Sequence, residues 1–302
     1  MDRFEAMRVY VRVVETGSFT RAAHTLQLGR TRVTELVQQL EAHLRVRLLN
    51  RTTRRMNVTA EGRAYYERAV RLLADLEDAE GSLHRATSAL RGRLRIDVPS
   101  PFARLLLVPA LPGFHALHPE IELHIGVSDR EVDLIGDNVD CVIRGGEPSA
   151  LSLVARPLGV LPFGVHAAPS YLQRHGVPLH PRDLEDGDHR TVGFLRPRTG
   201  RTRTLALRRG DEEIEVQGRH VVAIDDGDAY LAAGVAGLGI VCVPDYMAAP
   251  HVARGELVAL LEGWQAAMPM HLMFPPNRHV SERLRAFIDW VTALMAAHPD
   301  VR

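Results

Sequence analysis

The 302-residue chain contains no lysine and only two cysteines, Cys141 and Cys242. Two thiols so far apart in sequence build neither a disulfide framework nor a paired-thiol metal site. The chain nowhere sustains the roughly 20 apolar residues that a membrane helix needs, which excludes a helical span. The first residues, Met1-Asp2-Arg3-Phe4-Glu5, carry charge where a secretion signal would need an apolar core, so a cytoplasmic protein with no membrane partner is expected. No internal repeat or low-complexity tract is present. No Ser/His/Asp or Cys/His grouping has the local spacing of a nucleophilic site, so an enzyme is not expected, and neither is a cofactor. At 46% hydrophobic and 25% charged residues, the composition excludes general disorder.

What is present is arginine. It supplies all 37 basic residues of a chain whose net charge is zero. The charge is unevenly placed: residues 1–60 hold eleven arginines against five acids, leaving the remainder net acidic. A compact basic module on an acidic chain is the electrostatic footprint of a polyanion binder.

The apolar pattern divides the chain into three regions, an α+β multidomain organisation. In residues 1–58, Phe4, Met7, Val11 and Val14 form one helical stripe, which Gly17 ends. Ser18 is placed to cap a second helix carrying Ala22, Ala23 and Leu26. After a break at Gln27-Leu28-Gly29, a third helix carries Val33, Leu36, Val37, Leu40 and Leu44. Two short helices joined by a tight turn match a helix-turn-helix. The segment from Leu48 to Val58 reads as two short strands around an arginine-rich tip, a wing. In residues 59–90, Ala69, Leu72, Leu76, Ala79, Leu83, Ala86 and Leu90 alternate steps of three and four, the seam of a linker helix expected to pair with a second subunit. From 91 to 302, short apolar runs alternate with helical stretches, which predicts α/β units around parallel sheets in two lobes, about 91–161 with 267–302 and about 162–266.

In that third region strands are expected at Leu94–Val98, Ile121–Val127, Cys141–Arg144, Phe163–Ala167, Thr191–Leu195, Val221–Ile224, Gly239–Val243, Leu257–Leu261 and His271–Phe274. Helices are expected at Phe102–Leu117, Glu131–Gly136, Ser170–His175, Gly227–Ala236, Pro244–Ala249 and Ser281–Ala297. Arg209-Gly210-Asp211 signals a hairpin. His115 and His118 share a helix but lack a third ligand nearby, so no metal site is expected. Gly234, Gly237 and Gly239 precede a strand instead of following one, the wrong order for a dinucleotide loop and consistent with close helix–strand packing. Arg196, Arg198, Arg201 and Arg203 read as a solvated edge, and the two cysteines as core thiols.

A helix-turn-helix presents the first turns of its second helix to base edges in the major groove. Arg30, Thr31, Arg32 and Thr34 occupy that position, with Ser18 and Thr20 opening the helix before it. Arginine can donate two parallel bonds to guanine, and threonine can bond a base or touch a thymine methyl. Arg51, Arg54 and Arg55 on the wing would reach phosphates or the adjacent minor groove. Double-stranded DNA is therefore the expected macromolecular partner.

The run Phe4-x-x-Met7-x-x-Tyr10-Val11-x-Val13-Val14-Glu15-Thr16-Gly17-Ser18-Phe19-Thr20-x-Ala22-Ala23, with Leu40-Glu41-x-x-Leu44-x-Val46-Arg47-Leu48-Leu49-Asn50-Arg51-Thr52-Thr53-Arg54, resembles the LysR-type transcriptional regulators. The resemblance continues through Leu123–Asp133, Asp140–Gly146, Ala168–Leu172, Pro181–Leu184 and Ala233–Ile240. It implies a winged helix-turn-helix, a dimerising linker helix and a two-lobed effector domain like type 2 periplasmic binding proteins. The family's usual Ser-Gln-Pro before the recognition helix is replaced here by Gly29-Arg30-Thr31, which removes the side-chain cap.

Ser100-Pro101 reads as a helix cap with proline at the first helical position. The resemblance places this turn at an effector cleft together with Ser128 and Arg144, and with Phe194 and Asp226. A helix N-terminus beside a guanidinium would favour a small anion, most simply a carboxylate. The expected function is a sequence-specific DNA-binding transcriptional regulator modulated by a small, anionic effector, assembling as a dimer of dimers. The alternative is an enzyme or solute-binding α/β domain carrying a DNA-anchoring module, which turnover would distinguish.

Overall fold

The computed structural model describes residues 2–51, 56–83, 90–130, 134, 139–148, 153–186, 188–196, 200–275 and 280–301. The chain divides into two compact units, Met1–Ser88 and Ala89–Arg302. The first holds α1 (Arg3–Thr16), α2 (Phe19–Leu26), α3 (Arg30–Leu44), β1 (Leu49–Arg51), β2 (Met56–Val58) and α4 (Ala60–Leu83). The Asp2 carboxylate caps α1 by accepting the Phe4 N–H at 2.9 Å. Gly17 closes the same helix in the left-handed region, at φ 62°, and the Ser18 hydroxyl caps α2.

The expected stripe on α1 is one of two buried faces. Ala6, Val9, Tyr10 and Val13 pack with Ala22, Val33, Leu36, Val37 and Leu40 of α2 and α3. Met7 and Val11 turn instead toward Tyr65, Ala69 and Leu73 of α4. Phe4, expected to be inward, is 49% exposed. A helix held between two neighbours is apolar on both sides, so one stripe undercounts its contacts.

Glu41 ties the wing to the helices, its Oε1 accepting the N–H groups of Leu48 at 2.8 Å and Leu49 at 3.0 Å. β1 then pairs antiparallel with β2, Leu49 opposite Val58. The expected wing tip, residues 52–55, lies outside the described residues. Thr59 opens α4 by accepting the Gly62 N–H at 2.9 Å, and the buried Tyr10 hydroxyl donates to the Gly62 carbonyl at 2.8 Å. Only glycine fits at position 62, where a Cβ would stand 2.1 Å from the Leu48 carbonyl oxygen.

The expected seam of α4 divides. Ala69 is buried against α1 together with Leu73, whereas Leu72 is 52% exposed. Leu90 is a correction: it lies beyond the helix and packs on the core of the second unit. The side chains of Ala79, Leu83 and Ala86 lie outside the described residues.

The second unit opens with β3 (Gly92–Val98), then α5 (Ser100–Phe102), a π-helical stretch (Ala103–Leu107) and α6 (Val108–Leu117), which run on as one helix. β4 (Ile121–Val127), β5 (Cys141–Gly145) and β6 (Val154–Ala167) follow, then α7 (Pro169–His175), α8 (Asp183–Asp186) and β7 (Gly193–Phe194). Next come β8 (Leu205–Arg209), β9 (Glu212–Val216), β10 (Ala223–Ile224), α9 (Gly227–Val235), β11 (Val241–Pro244) and α10 (Asp245–Ala253). β12 (Val258–Leu260), β13 (Ala266–Phe274) and α11 (Glu282–Ala296) complete the order. The expected helix Glu131–Gly136 lies outside the described residues except for Leu134, a buried turn residue.

The expectation of parallel sheets is corrected in part. β3 pairs parallel with β4 and β5, and β7 with β10. β13 joins β5 to β6 antiparallel, and β6 also pairs antiparallel with β11 and β12. β6 and β13 are each longer than the expected strands Phe163–Ala167 and His271–Phe274, and they run through Pro157, Gly159, Pro162 and Pro269. A bulge at Leu158, between the pairs Gly159↔Met270 and Pro157↔His271, absorbs that irregularity. The two strands run from the side of the sheet where β13 pairs with β5 to the side where β6 pairs with β11 and β12. The hairpin read at Arg209-Gly210-Asp211 is present as β8–β9, with Gly210 at φ 58°. Gly234 lies against Val241, and Gly239 against the backbone of Arg190 and Thr191, where side chains would not fit. Both cysteines are buried, and the rings of His115 and His118 lie against Phe114. Among the described residues no helix is long and apolar enough to cross a membrane.

Tyr10→Phe removes the bond to Gly62 and is expected to lower stability by about 0.5–1.5 kcal/mol, read as a lower urea midpoint at unchanged slope. Gly62→Ala, whose methyl group must displace backbone, is expected to lose more.

Candidate nucleic-acid interface and effector cleft

In the first unit, the start of α3 is built without a side-chain cap, because Gly29 has no side chain to offer. Arg30 and Thr31 stand exposed on its first turn, and Val33 turns into the core. The Thr34 hydroxyl donates back to the Arg30 carbonyl at 3.0 Å. Arg32 donates to Glu5 of α1 at 2.7 Å, so this arginine is held along α1. Ser18 is used as the cap of α2, and Thr20 is exposed on its first turn. Arg51 ends β1, while Arg54 and Arg55 lie outside the described residues.

The second unit contains a cavity of about 260 Å³ between the two lobes. Pro99, Pro101, Phe102, Asp129 and Arg144 line it from one lobe, and Phe194, Arg203, Tyr230, Tyr246 and Met247 from the other. Leu161, Met268 and Met270 of the long strands form its floor. Of the six residues expected at the cleft, Pro101, Arg144 and Phe194 line it. Ser100, Ser128 and Asp226 stand behind its walls.

Those three residues are engaged within the protein. The Ser100 hydroxyl donates to Asp228 at 2.6 Å, a carboxylate that also pairs with Arg104 at 2.6 Å. Ser128 donates to Asp97 at 3.4 Å, and Asp226 caps α9 through the Ala229 N–H at 2.8 Å. Arg144 is also committed. Its guanidinium pairs with Asp97 and donates to the carbonyls of Ile143 at 2.8 Å, Arg130 at 2.9 Å and Asp97 at 3.2 Å. The charge expected to meet a ligand carboxylate is thus neutralised by an internal one.

The carboxylates of this region hold the lobes together. Asp129 accepts the Gly227 N–H at 2.7 Å, the first residue of α9, and Arg130 reaches Asp225 at 3.3 Å. Burial raises the Asp129 carboxyl above the ordinary aspartate range, against the lowering effects of that N–H and of Arg144. Burial also pushes Asp228 upward, but the bonds from Arg104 and Ser100 outweigh it and hold the group below the ordinary range. Burial drives the Cys242 thiol at the cavity wall up to about 12, so it is neutral.

Arg203 is the arginine of the cavity wall that the sequence reading missed, along with apolar and aromatic residues such as Phe102, Tyr230 and Met268. It belonged to a run read as a solvated edge, yet it is half-buried in the cavity wall. Its Nη1 lies 3.4 Å from the Met268 sulfur and its Cζ 5.9 Å from the centroid of the Phe163 ring. Nothing in the local pattern separates it from Arg196 or Arg201.

Residues 4–63 match the family described as bacterial regulatory helix-turn-helix protein, lysR family, and residues 87–296 match the LysR substrate binding domain. The chain belongs to the LysR family of transcriptional regulators. It is 38% identical over 303 residues to an HTH-type transcriptional repressor of Pseudomonas aeruginosa, covering 100% of this chain and 95% of the relative. It is 34% identical over 295 residues to CrgA of Neisseria meningitidis, covering 95% of each. The solved structure of CrgA superposes with a TM-score of 0.60 at 32% identity, over 96% of this chain and 98% of that one. Full-length AphB of Vibrio cholerae superposes with a TM-score of 0.58 at 26% identity, over 96% and 98%. This LysR-family chain is therefore a DNA-binding transcriptional regulator modulated by a small-molecule effector, and not an enzyme.

The raised Asp129 carboxyl makes a test of the regulator's cleft. A folded-state value above the unfolded one means that the wild type loses stability as pH rises through it. Asp129→Asn keeps an acceptor for the Gly227 N–H without the buried charge. The variant should be more stable than wild type at neutral pH, and its advantage should fade as pH falls toward the ordinary value of 3.8. Thermal unfolding of both proteins across that range is the measurement; an advantage that grows toward acid contradicts the assignment.

Proposed function

We propose that this LysR-family regulator reads operator DNA with the first turn of α3 and holds the duplex with the wing, and that its effector binds in the interlobe cavity. The observation that carries the second part is the composition of the cavity wall, with residues contributed by both lobes and by the strands that join them. A ligand touching both lobes has a different affinity for open and closed arrangements, which is the requirement for it to shift their populations. Pro101, Arg144 and Phe194 are the expected contacts that line this space, and Ser100, Ser128 and Asp226 act by holding the walls around it.

On the DNA side, Arg30 and Thr31 are the exposed candidates for base edges, with Thr34 behind them. Ser18, Thr20, Arg51, Arg54 and Arg55 are assigned to the phosphate backbone. The ion pair with Glu5 directs Arg32 to structure in the absence of DNA, and contact with phosphate would require it to exchange partners. The regulator acts in the cytoplasm as a homo-oligomer, a dimer of dimers joined partly through α4, whose exposed Leu72 is an apolar contact in search of a neighbour.

Arg30→Ala should erode discrimination at one base position by about 1–3 kcal/mol, measured by competition between operator and variant duplexes. Equal losses on operator and random DNA would remove Arg30 from base reading. Arg54→Ala should instead weaken all duplexes alike and flatten the salt dependence by nearly one unit of slope. For the assembly, Leu72→Asp with Leu76→Asp should give smaller species in sedimentation and weaken operator binding, since one module cannot span two half-sites. An unchanged oligomer would assign α4 to packing within its own subunit.

A further inference from the structure

We propose that Arg203 is the specificity-determining residue of the cleft and that the effector is a small apolar monocarboxylate whose anionic group it holds. This rests on the reading of the cavity as the effector site and identifies the ligand class and the residue that selects it.

The argument starts from what each cation in the wall has for a partner. Arg144 is neutralised by Asp97 and by three backbone carbonyls. Arg203 has no carboxylate partner among the described residues. Its side-chain contacts are a thioether sulfur, a weak acceptor, and the face of Phe163. A half-buried guanidinium on a cavity wall with so few acceptors has donors to offer an anion. A carboxylate accepts them as two parallel bonds.

The backbone fixes the direction of approach. The Arg203 N–H donates to the Phe194 carbonyl at 2.8 Å, and Thr202 bridges to Leu195. The residue is thereby pinned against β7, with its side chain among Phe163, Met268 and the cavity. Beside it the wall is apolar and aromatic, with Phe194 edge-on to Tyr230 at 5.4 Å between centroids. Leu161, Met247, Val243 and Cys242 extend that surface. These walls suit an aromatic or aliphatic body, and Thr191, Thr202, Thr204 and His220 complete the lining with a few polar groups. The opposite lobe presents Asp129, which disfavours a second anionic group on the ligand. A cavity of about 260 Å³ also limits the ligand's size, since pockets for drug-sized ligands measure about 300–1,000 Å³.

The test is titration calorimetry on the full-length protein with benzoate, phenylacetate, cyclohexanecarboxylate and butyrate, each beside its neutral amide. At least one acid is expected to bind about tenfold or more tighter than its amide. Arg203→Met should bring that acid and its amide to similar affinity without weakening the amide, which also reports that the variant is folded. Arg203→Lys should keep part of the preference, because a point charge replaces the planar fork. If no acid binds more tightly than its amide, or if Arg203→Met preserves the preference, the proposal is overturned on wild type or variant alone. Ala266→Trp, on the same face of β13 as Met268 and Met270, fills the cavity and separates the two levels of the argument. Binding that survives it unchanged overturns the cleft as effector site. Binding that it abolishes, combined with a preference indifferent to position 203, leaves the cleft standing and removes Arg203 from it.

Discussion

The pairing of β6 with β13 is the constraint on which the second unit depends. The two strands stay in antiparallel register from Phe163↔Ala266 to Val154↔Phe274, and the bulge at Leu158 interrupts this ladder without ending it. Each strand then hands its remaining edge to a different lobe, β13 to β5 and β6 to β11 and β12. The floor of the cavity is therefore continuous backbone, and its two walls are lobes attached to that floor. An irregular step where two such strands pass between lobes is a natural place for small changes in twist.

Charge in the cleft follows from the same geometry. Asp97 on β3 and Arg144 on β5 lie on neighbouring parallel strands and neutralise each other. Removing one partner of such a pair would strand a charge away from water, which is far less favourable than keeping both. Ser100 and Arg104, at the start of the long helix, converge on Asp228, and Asp129 meets the start of α9. The features that most invited an anion, a helix start and an arginine at a strand end, already have carboxylates from within the chain. Arg203 differs because its neighbours are a sulfur and an aromatic ring.

In the first unit, a few side chains connect elements that are separate in sequence. Glu41 receives two N–H groups from the start of the wing, Tyr10 bonds to the first turn of α4, and Gly62 lets that turn approach Leu48. The motif residues that carry the family resemblance include Tyr10, Leu40, Glu41 and Leu48. Their contacts supply its physical basis: they set how the helices, the wing and α4 meet. Arg30 and Thr31 remain outside these contacts and stand exposed at the start of α3.

The amino-acid sequence by itself determined the elements and their order. Caps at Asp2, Ser18 and Gly17, the hairpin at Gly210, the helix after Ser100 and the alternation of strands and helices all rest on interactions between near neighbours, which a local pattern records. It also determined the surplus of arginine in residues 1–60, and with the motif the family and its function. The reading failed where partners come from distant segments. The stripe on α1 recorded Met7 and Val11, which α4 covers, and concealed a second buried face, Ala6, Val9, Tyr10 and Val13, which packs against α2 and α3. β6 and β13 were read short because their full length exists only as a ladder between distant segments, with a bulge at Leu158 that a local pattern does not record. Arg144, Ser100 and Ser128 looked available because their acids, Asp97 and Asp228, arrive from other strands and helices. Arg203 looked like its neighbours because a guanidinium's surroundings depend on which strands lie beneath it. Tertiary structure alone decided which arginine is neutralised and which faces the cleft, since Coulomb interactions act over ångströms in space and not over positions in sequence.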